Sequence, residues 1–510
     1  MTQKTDPIIY SDFPDIDIIR VEDTYYMVST TMHFTPGCSI LKSYNLVNWE
    51  LISHAYDELD GTPKQKLEGS SAYGQMMWAP TFRYHQGVFY LIFAANDTRK
   101  TYLFKATHPE GPWEKSYIEG FYHDSSLLFD DDDRVYLVHG NREIELIELA
   151  QDLSGPKPGG LKRIVVVEDG DVRLGYEGAH LQKRNGKYYL FLINWPNGDG
   201  RRSEWCFIAD SLEGEFKGKK IIDDDLGFHN QGIAQGGMID TPDGDWYMFM
   251  FQDRGAVGRI PMLIPMEFDD EDYPVIKGGR IPLELSIPST RPDYQYAPLN
   301  DSDNFNYQPG EKLKHFWQFN HQSHPDLWSI TERKGAFRIT TDKLVPNLTQ
   351  AYNTLTQRTM GPKSSAWVTV DGTGLKEGDY AGICALQGCY GAIALTKKDE
   401  QYQLVMINRP ADYEARMGDI WDNQPPIEQA RIQVDSPVVT LKVEADFTEL
   451  KDEACFFYQE NNLWQPLGDA HQLYFKLDHF VGCRFGLFMY STENTGGQAD
   501  FLDFHYGKEI

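Results

Sequence analysis

Three acidic residues, Asp15, Asp124 and Glu177, stand at matching points of a repeated phrase, with Trp78 and Gln235 at the same point of two further copies. Counting back from the Tyr that anchors each copy, Trp78, Asp124, Glu177 and Gln235 lie twelve residues before Tyr90, Tyr136, Tyr189 and Tyr247, and Asp15 lies eleven before Tyr26. Paired carboxyl groups can cleave a glycosidic bond. One, protonated, gives its proton to the leaving oxygen, and the other, ionised, activates water on the opposite face of the sugar. Inversion sets such a pair about 6.5–9.5 Å apart, leaving room for the water. A third acid beside the donor keeps it protonated by like-charge repulsion. Trp78 adds a flat apolar face and Gln235 an amide that both donates and accepts.

The elements that must position these residues are strands. Five copies of a turn followed by an aromatic strand occupy residues 21–27, 85–91, 131–137, 184–190 and 242–248, and their anchors are 64, 46, 53 and 58 residues apart. That spacing fits a four-stranded antiparallel unit with its loops, and five such units predict a five-bladed β-propeller. Equivalent points of its blades surround one axis, so the five marked residues should meet in one pocket. Trp49 and Trp113 each follow their anchor by 23 residues, and Phe216 continues the phrase in the fourth copy. Asn185-Gly186 and Asp243-Gly244 are hairpin signals, and no 3.6-residue period supports a helical solenoid.

The repeats stop near residue 275 of 510, and a chain this long exceeds one ordinary core. The reading is all-β: an N-terminal five-bladed β-propeller over residues 1–300 and a C-terminal β-sandwich over 312–510. A connector rich in Asp, Pro and Tyr covers about 269–308, and stretches 366–370, 403–407, 437–443 and 485–489 read as sandwich strands.

A net charge of −28, with no dense basic cluster, argues against nucleic acid and anionic membranes as partners and favours a neutral glycan. Aromatic residues at 13% suit surfaces that stack on flat ligands. The first seven residues have no apolar core or cleavage site and no run is long enough to span a bilayer, so a cytoplasmic location is expected. The six cysteines lack Cys-x-x-Cys spacing and read as reduced, mostly buried thiols.

Several segments resemble glycoside hydrolase family 43. Pro14-Asp15-Ile16-Asp17-Ile18 is similar to its opening motif, His123-Asp124-Ser125-Ser126-Leu127 to its second and Tyr176-Glu177-Gly178-Ala179-His180 to its third. The resemblance implies Asp15 as general base, Asp124 as the residue that tunes the acid, and Glu177 as general acid. Trp78-Ala79-Pro80 resembles the motif whose indole lines the terminal-sugar subsite, and Gly258-Arg259-Ile260-Pro261 the segment whose Arg binds that sugar's hydroxyls. Segments 316–320 and 353–359 resemble the C-terminal sandwich of the family's β-xylosidases and xylosidase/arabinofuranosidases. The chain departs from the family in two places. Ile16 follows the base where Pro is common, and Gln235 stands where many members carry a metal-contacting His. A structural calcium on the propeller axis is an option the resemblance raises, with no ligand assigned, and the chemistry itself requires no cofactor.

Plainer readings compete at each position. Alone, Asp15 or Asp124 would be a turn or cap residue, but their shared register favours catalysis. Trp78 could be core, Arg259 a structural ion pair, and Phe34 either pocket wall or packing. The acidic tract 130–133 lacks the Gly and Glu of an EF-hand loop and reads as a hairpin turn. The expectation is an inverting exo-glycosidase that releases xylose from the non-reducing ends of β-1,4-xylo-oligosaccharides, with α-L-arabinofuranosidase as a side activity and a xylo-oligosaccharide or arabinoxylo-oligosaccharide as substrate. Its alternatives are an enzyme that is mainly an α-L-arabinofuranosidase and a glycan-binding propeller without catalysis. The oligomeric state is left open.

Overall fold

The computed structural model describes residues 3–4, 7–198 and 200–507. Residues 1–2 and 5–6, which belong to the segment read for a leader, lie outside the described residues. Five four-stranded antiparallel sheets follow one another along the chain as propeller blades. Their inner strands are Asp17–Val21, Met77–His85, Ser126–Phe129, Val172–Arg184 and Ala234–Asp240. Each packs against the inner strands of both neighbouring blades, the fifth against the first, so together they surround an axis. The anchor tyrosines all lie on the second strands, where β-branched and aromatic residues alternate across a pleated sheet buried on both sides.

The ring closes without exchanging a strand. Ile18, Tyr25 and Leu41 of blade one pack with Ile239, Tyr247 and Leu263 of blade five in one apolar cluster. An ion pair of 2.5 Å between Arg20 and Asp240 crosses the same seam. The connector then straps blade one. The Thr290 N–H donates to the Tyr44 carbonyl at 2.9 Å, Arg291 pairs with Asp23 at 2.8 Å, and Tyr294 donates to Glu50.

The remaining strands form a sandwich of two sheets over a continuous apolar core that includes Trp317, Phe337, Ile383, Leu441, Phe485 and Phe501. Of the four stretches read as sandwich strands, three fall within Lys363–Asp371, Gln401–Asn408 and Arg484–Ser491, and 437–443 falls, but for Pro437, within Val438–Asp446. One sheet ends on a strand from the propeller: Phe34–Thr35, which leaves blade one, pairs antiparallel with Gln318–Asn320. Beside this seam His33, His321, His479 and Tyr73 are buried, with His33 within 4.9 Å of the other three rings. Asp12 ties the halves a second time, accepting from the backbone N–H groups of Arg259 at 2.8 Å and of Gly482 at 2.9 Å. Gly258, at φ 107°, must be glycine here, since a Cβ would lie 2.1 Å from the Asp12 carboxylate.

All six cysteines are free, five of them buried. Among the described residues no helix is long and apolar enough to cross a membrane.

Candidate active site

The five marked residues owe their common direction to backbone strain. Ile19, Arg83, Leu128, Gln182 and Ile239 lie directly opposite the anchors Tyr26, Tyr90, Tyr136, Tyr189 and Tyr247. Four residues before each stand Asp15, Ala79, Asp124, Gly178 and Gln235, all left-handed, with φ of 50°, 23°, 46°, 64° and 59°. For a non-glycine residue this conformation costs roughly 1–3 kcal/mol and persists only where its surroundings impose it. The kink swings Asp15, Asp124 and Gln235 toward the mouth of the axis. In blades two, four and five it comes with a β-bulge, and in two and four the residue just before it, Trp78 or Glu177, is the one presented. Asp124 and Gln235 thus reach a count of twelve through a longer hairpin, Trp78 and Glu177 because the residue one step earlier is presented, and Asp15, with neither, reaches eleven.

The three acids meet, each with its own partners. Asp15 is buried and its Oδ1 accepts from Arg259 Nη1 at 2.5 Å. Of the two readings of Arg259, the ion pair is therefore present, made with the proposed base itself. Glu177 Oε2 accepts from Asn141 Nδ2 at 2.5 Å and lies 3.4 Å from His123 Nε2. The same imidazole nitrogen is 3.6 Å from Asp124 Oδ2.

Charge and burial divide the acids. The Asp124 charge, first, then those of Glu177 and Asp15, raise His123 to about 9 against the cost of its burial. Burial pushes Asp124 up to about 7, with Glu177 and Asp15 adding to the rise and His123 opposing it. Burial also raises Glu177, but hydrogen bonds from His123 and Asn141, together with the His123 charge, outweigh it and hold the carboxyl below its usual range. The resemblance led us to expect Asp124 to lift its neighbour's pKa. Here His123, which the motif reading left without a role, sits against Glu177 and acts in the opposite direction.

Trp78 lies at one wall, its Nε1–H tied to the Gly74 carbonyl at 2.9 Å. Its ring is 5.8 Å from His123 and 5.4 Å from Phe480, a sandwich residue. Phe480 also covers the Arg259 guanidinium at 4.3 Å, so the sandwich supplies one side of the pocket. Gln235 is buried, its N–H bonded to Glu204 Oε2 at 2.7 Å and its side chain against Gly178, where a Cβ would come within 2.6 Å. Phe34 is not a pocket wall. It is fully buried on the strand that enters the sandwich sheet, with the Arg484 guanidinium 3.7 Å from its ring. The tract 130–133 turns the hairpin between Ser126–Phe129 and Val135–Asn141, as its composition predicts.

Sequence reasoning passed over His123, Asn141 and Phe480. His123 stood inside a quoted motif, adjacent to an acid, and that adjacency was a usable signal. Asn141 ends an anchor strand, and Phe480 arrives by tertiary folding alone.

His123, Asp124 and Glu177 each bring a ligand atom within 4.8 Å of the others, the spacing of a possible metal site. Glu177 Oε2 already accepts from Asn141, so a metal there would share that oxygen with an amide and would displace the proton of His123.

Comparison with known proteins agrees with this geometry. The profile described as Glycosyl hydrolases family 43 matches residues 4–274, and that described as Beta xylosidase C-terminal Concanavalin A-like domain matches 302–507. A Beta-xylosidase of Formosa agariphila is 25% identical over 456 residues, 76% of this chain and 74% of its own. A Xylosidase/arabinosidase of Butyrivibrio fibrisolvens is 24% identical over 562 aligned positions that cover 99% of both chains. A solved structure described as a bifunctional GH43-CE protein of Bacteroides eggerthii superposes with a TM-score of 0.91 at 41% identity. It covers all of this chain, which spans 64% of that longer one. With its propeller and its sandwich each matched, the chain belongs to glycosyl hydrolases family 43.

Proposed function

We propose that this glycoside hydrolase is an inverting exo-enzyme that removes xylose from the non-reducing ends of β-1,4-xylo-oligosaccharides. The observation that carries the assignment of roles is the division of partners. Asp15 is bound to a guanidinium, which suits a carboxylate that accepts a proton from water. Glu177 and Asp124 lie in a cluster with His123 that holds exchangeable protons, which suits donation. In the step we envisage, the water oxygen bonds to the anomeric carbon while its proton passes to Asp15. The bond from that carbon to the leaving oxygen breaks, and the oxygen takes the proton of Glu177. Protons then return to Glu177 and leave Asp15 before the next cycle. Phe480 and Trp78 wall the pocket on one side, which supports action at chain ends.

The xylose assignment rests on the relatives' names and on the resemblance of the motifs. The Butyrivibrio relative, described for both sugars and aligned over nearly the whole chain, favours α-L-arabinofuranosidase activity as a second activity.

Proton NMR of the enzyme with xylobiose tests the main reading through the first anomer released. Initial α-xylose is expected; initial β-xylose would overturn inversion, and no xylose would shift the assignment to arabinofuranosides. For the acid, Glu177→Ala should slow xylobiose turnover by about 10²–10⁴-fold and spare aryl xylosides with good leaving groups, which need little protonation. Equal losses on both substrates would remove Glu177 from that role.

A further inference from the structure

Two residues beyond each left-handed position, the inner strands present a second ring: Asp17, Thr81, Ser126, His180 and Gly237. A guanidinium joins this ring. Arg83 Nη1 donates to Asp17 Oδ2 at 2.7 Å and to the Phe82 carbonyl at 2.5 Å. Its Nη2 donates to Ser126 Oγ at 2.9 Å and to the Leu181 carbonyl at 3.4 Å, and its Nε to the Leu127 carbonyl at 2.6 Å. These acceptors come from blades one, two, three and four.

Most of the rest of the ring is committed too. Asp17 Oδ2 accepts also from the Phe82 N–H at 2.8 Å and from Thr81 Oγ1 at 3.2 Å, while Oδ1 makes no hydrogen bond and has His180 Nδ1 3.5 Å away. Burial would raise the Asp17 pKa, but Arg83, with His180, overrides it and holds the carboxyl far below the usual range. Blade five is attached through Gln182, which exchanges two 2.8 Å hydrogen bonds with the backbone of Met238. Gly237 is glycine because a Cβ would stand 2.7 Å from the Gln182 amide oxygen.

One carboxylate oxygen, one hydroxyl and three carbonyls surround this guanidinium, oxygens of the kind a hard divalent cation takes. The side chain they surround is always charged. A calcium ion would have to displace the guanidinium or share the ring with it against like-charge repulsion, so the ring does not fit the axial calcium that the family resemblance raised.

We infer that Arg83 is the built-in cation of the propeller axis, linking four blades through its N–H donors as a bound metal would through its coordination shell. The ring therefore stands without metal. This holds whichever sugar the enzyme cleaves.

The test begins with the wild-type chain: its metal content by mass spectrometry, and its Tm with EDTA and with millimolar calcium. No stoichiometric calcium and no shift in Tm are expected; stoichiometric calcium whose removal lowers Tm would overturn the inference. Arg83→Ala then uncovers the oxygen set. Its Tm should fall by roughly 3–5 °C, the scale expected when a buried charge loses its partner in a chain of this size. Added calcium or guanidinium should recover some of the fall, each by refilling the ring. An unchanged Tm in the variant, or a fall that neither cation reverses, would count against Arg83 as the axial cation. If the variant fails to fold, the wild-type measurements decide the matter alone.

Discussion

The axis carries two rings of side chains, one pleat apart on the same five strands, with opposite characters. The upper ring, Asp15, Trp78, Asp124, Glu177 and Gln235, stands on left-handed or bulged backbone. The lower, with Asp17, Thr81, Ser126 and His180, sits in regular strand. Burial alone does not separate them. Asp124 and Asp17 are both buried, yet one is pushed up to about 7 and the other held far down. What differs is the partner: Asp17 bonds a guanidinium directly, whereas Asp124 has an imidazole at 3.6 Å and two other carboxyls acting against it. Between these two acids, pairing decides which holds structure and which is left able to exchange protons, while Asp15, tied to Arg259, shares the guanidinium pairing of the lower ring.

The sharpest way to break this contrast is to exchange the tests for the two rings. Asp124→Asn should lower turnover by about 10²-fold or more while leaving the denaturant midpoint near wild type, since no guanidinium pairs with Asp124. Asp17→Ala should instead destabilise by about 3–5 kcal/mol, since it leaves the mostly buried Arg83 without its charge partner. If Asp17→Ala proved stable, or if Asp124→Asn unfolded instead, the contrast between the two acids would be wrong.

A smaller effect is expected at His123. A cation beside an acid favours the ionised form, so the imidazolium lowers the pH at which Glu177 and Asp124 give up their protons. Replacing it with neutral Asn should move the basic limb of the kcat/KM profile upward by about one pH unit. A limb that stays in place would mean His123 packs against the acids without tuning them. The smallest effect concerns the wall contributed by the sandwich. Phe480→Ala should raise KM for xylobiose by about tenfold, the scale of one lost apolar contact, with kcat little changed. A loss confined to kcat would place Phe480 in the chemistry rather than at the wall.

Much of this was legible in the chain itself, for a local reason. A blade is built from consecutive strands, so its period survives in the sequence, and the anchors of all five lie on the second strands. The twelve-residue count found the upper ring even though bulges and hairpin lengths produce it in two different ways. The lower ring went unread because an Arg within Met77–His85 looks, in sequence, like any residue on a solvated face. Phe34 was ambiguous for a related reason: nothing local distinguishes a strand that lines a pocket from one that leaves its blade to join another sheet. Phe480 lies more than 300 residues from every propeller group it touches except Arg259, beyond the reach of any local pattern.

That departing strand has a consequence for how the molecule can be taken apart. By laying Phe34–Thr35 along Gln318–Asn320, the propeller caps the open edge of the sandwich sheet and satisfies backbone groups that would otherwise invite another chain. A cut at the connector would therefore pull a rung from a ladder rather than separate a pair of finished bodies. Exchanging sandwiches between relatives would have to carry the matching loop of blade one along with them. In this protein the seam is the unit of heredity: neither half can be grafted without the few residues through which the other completes it.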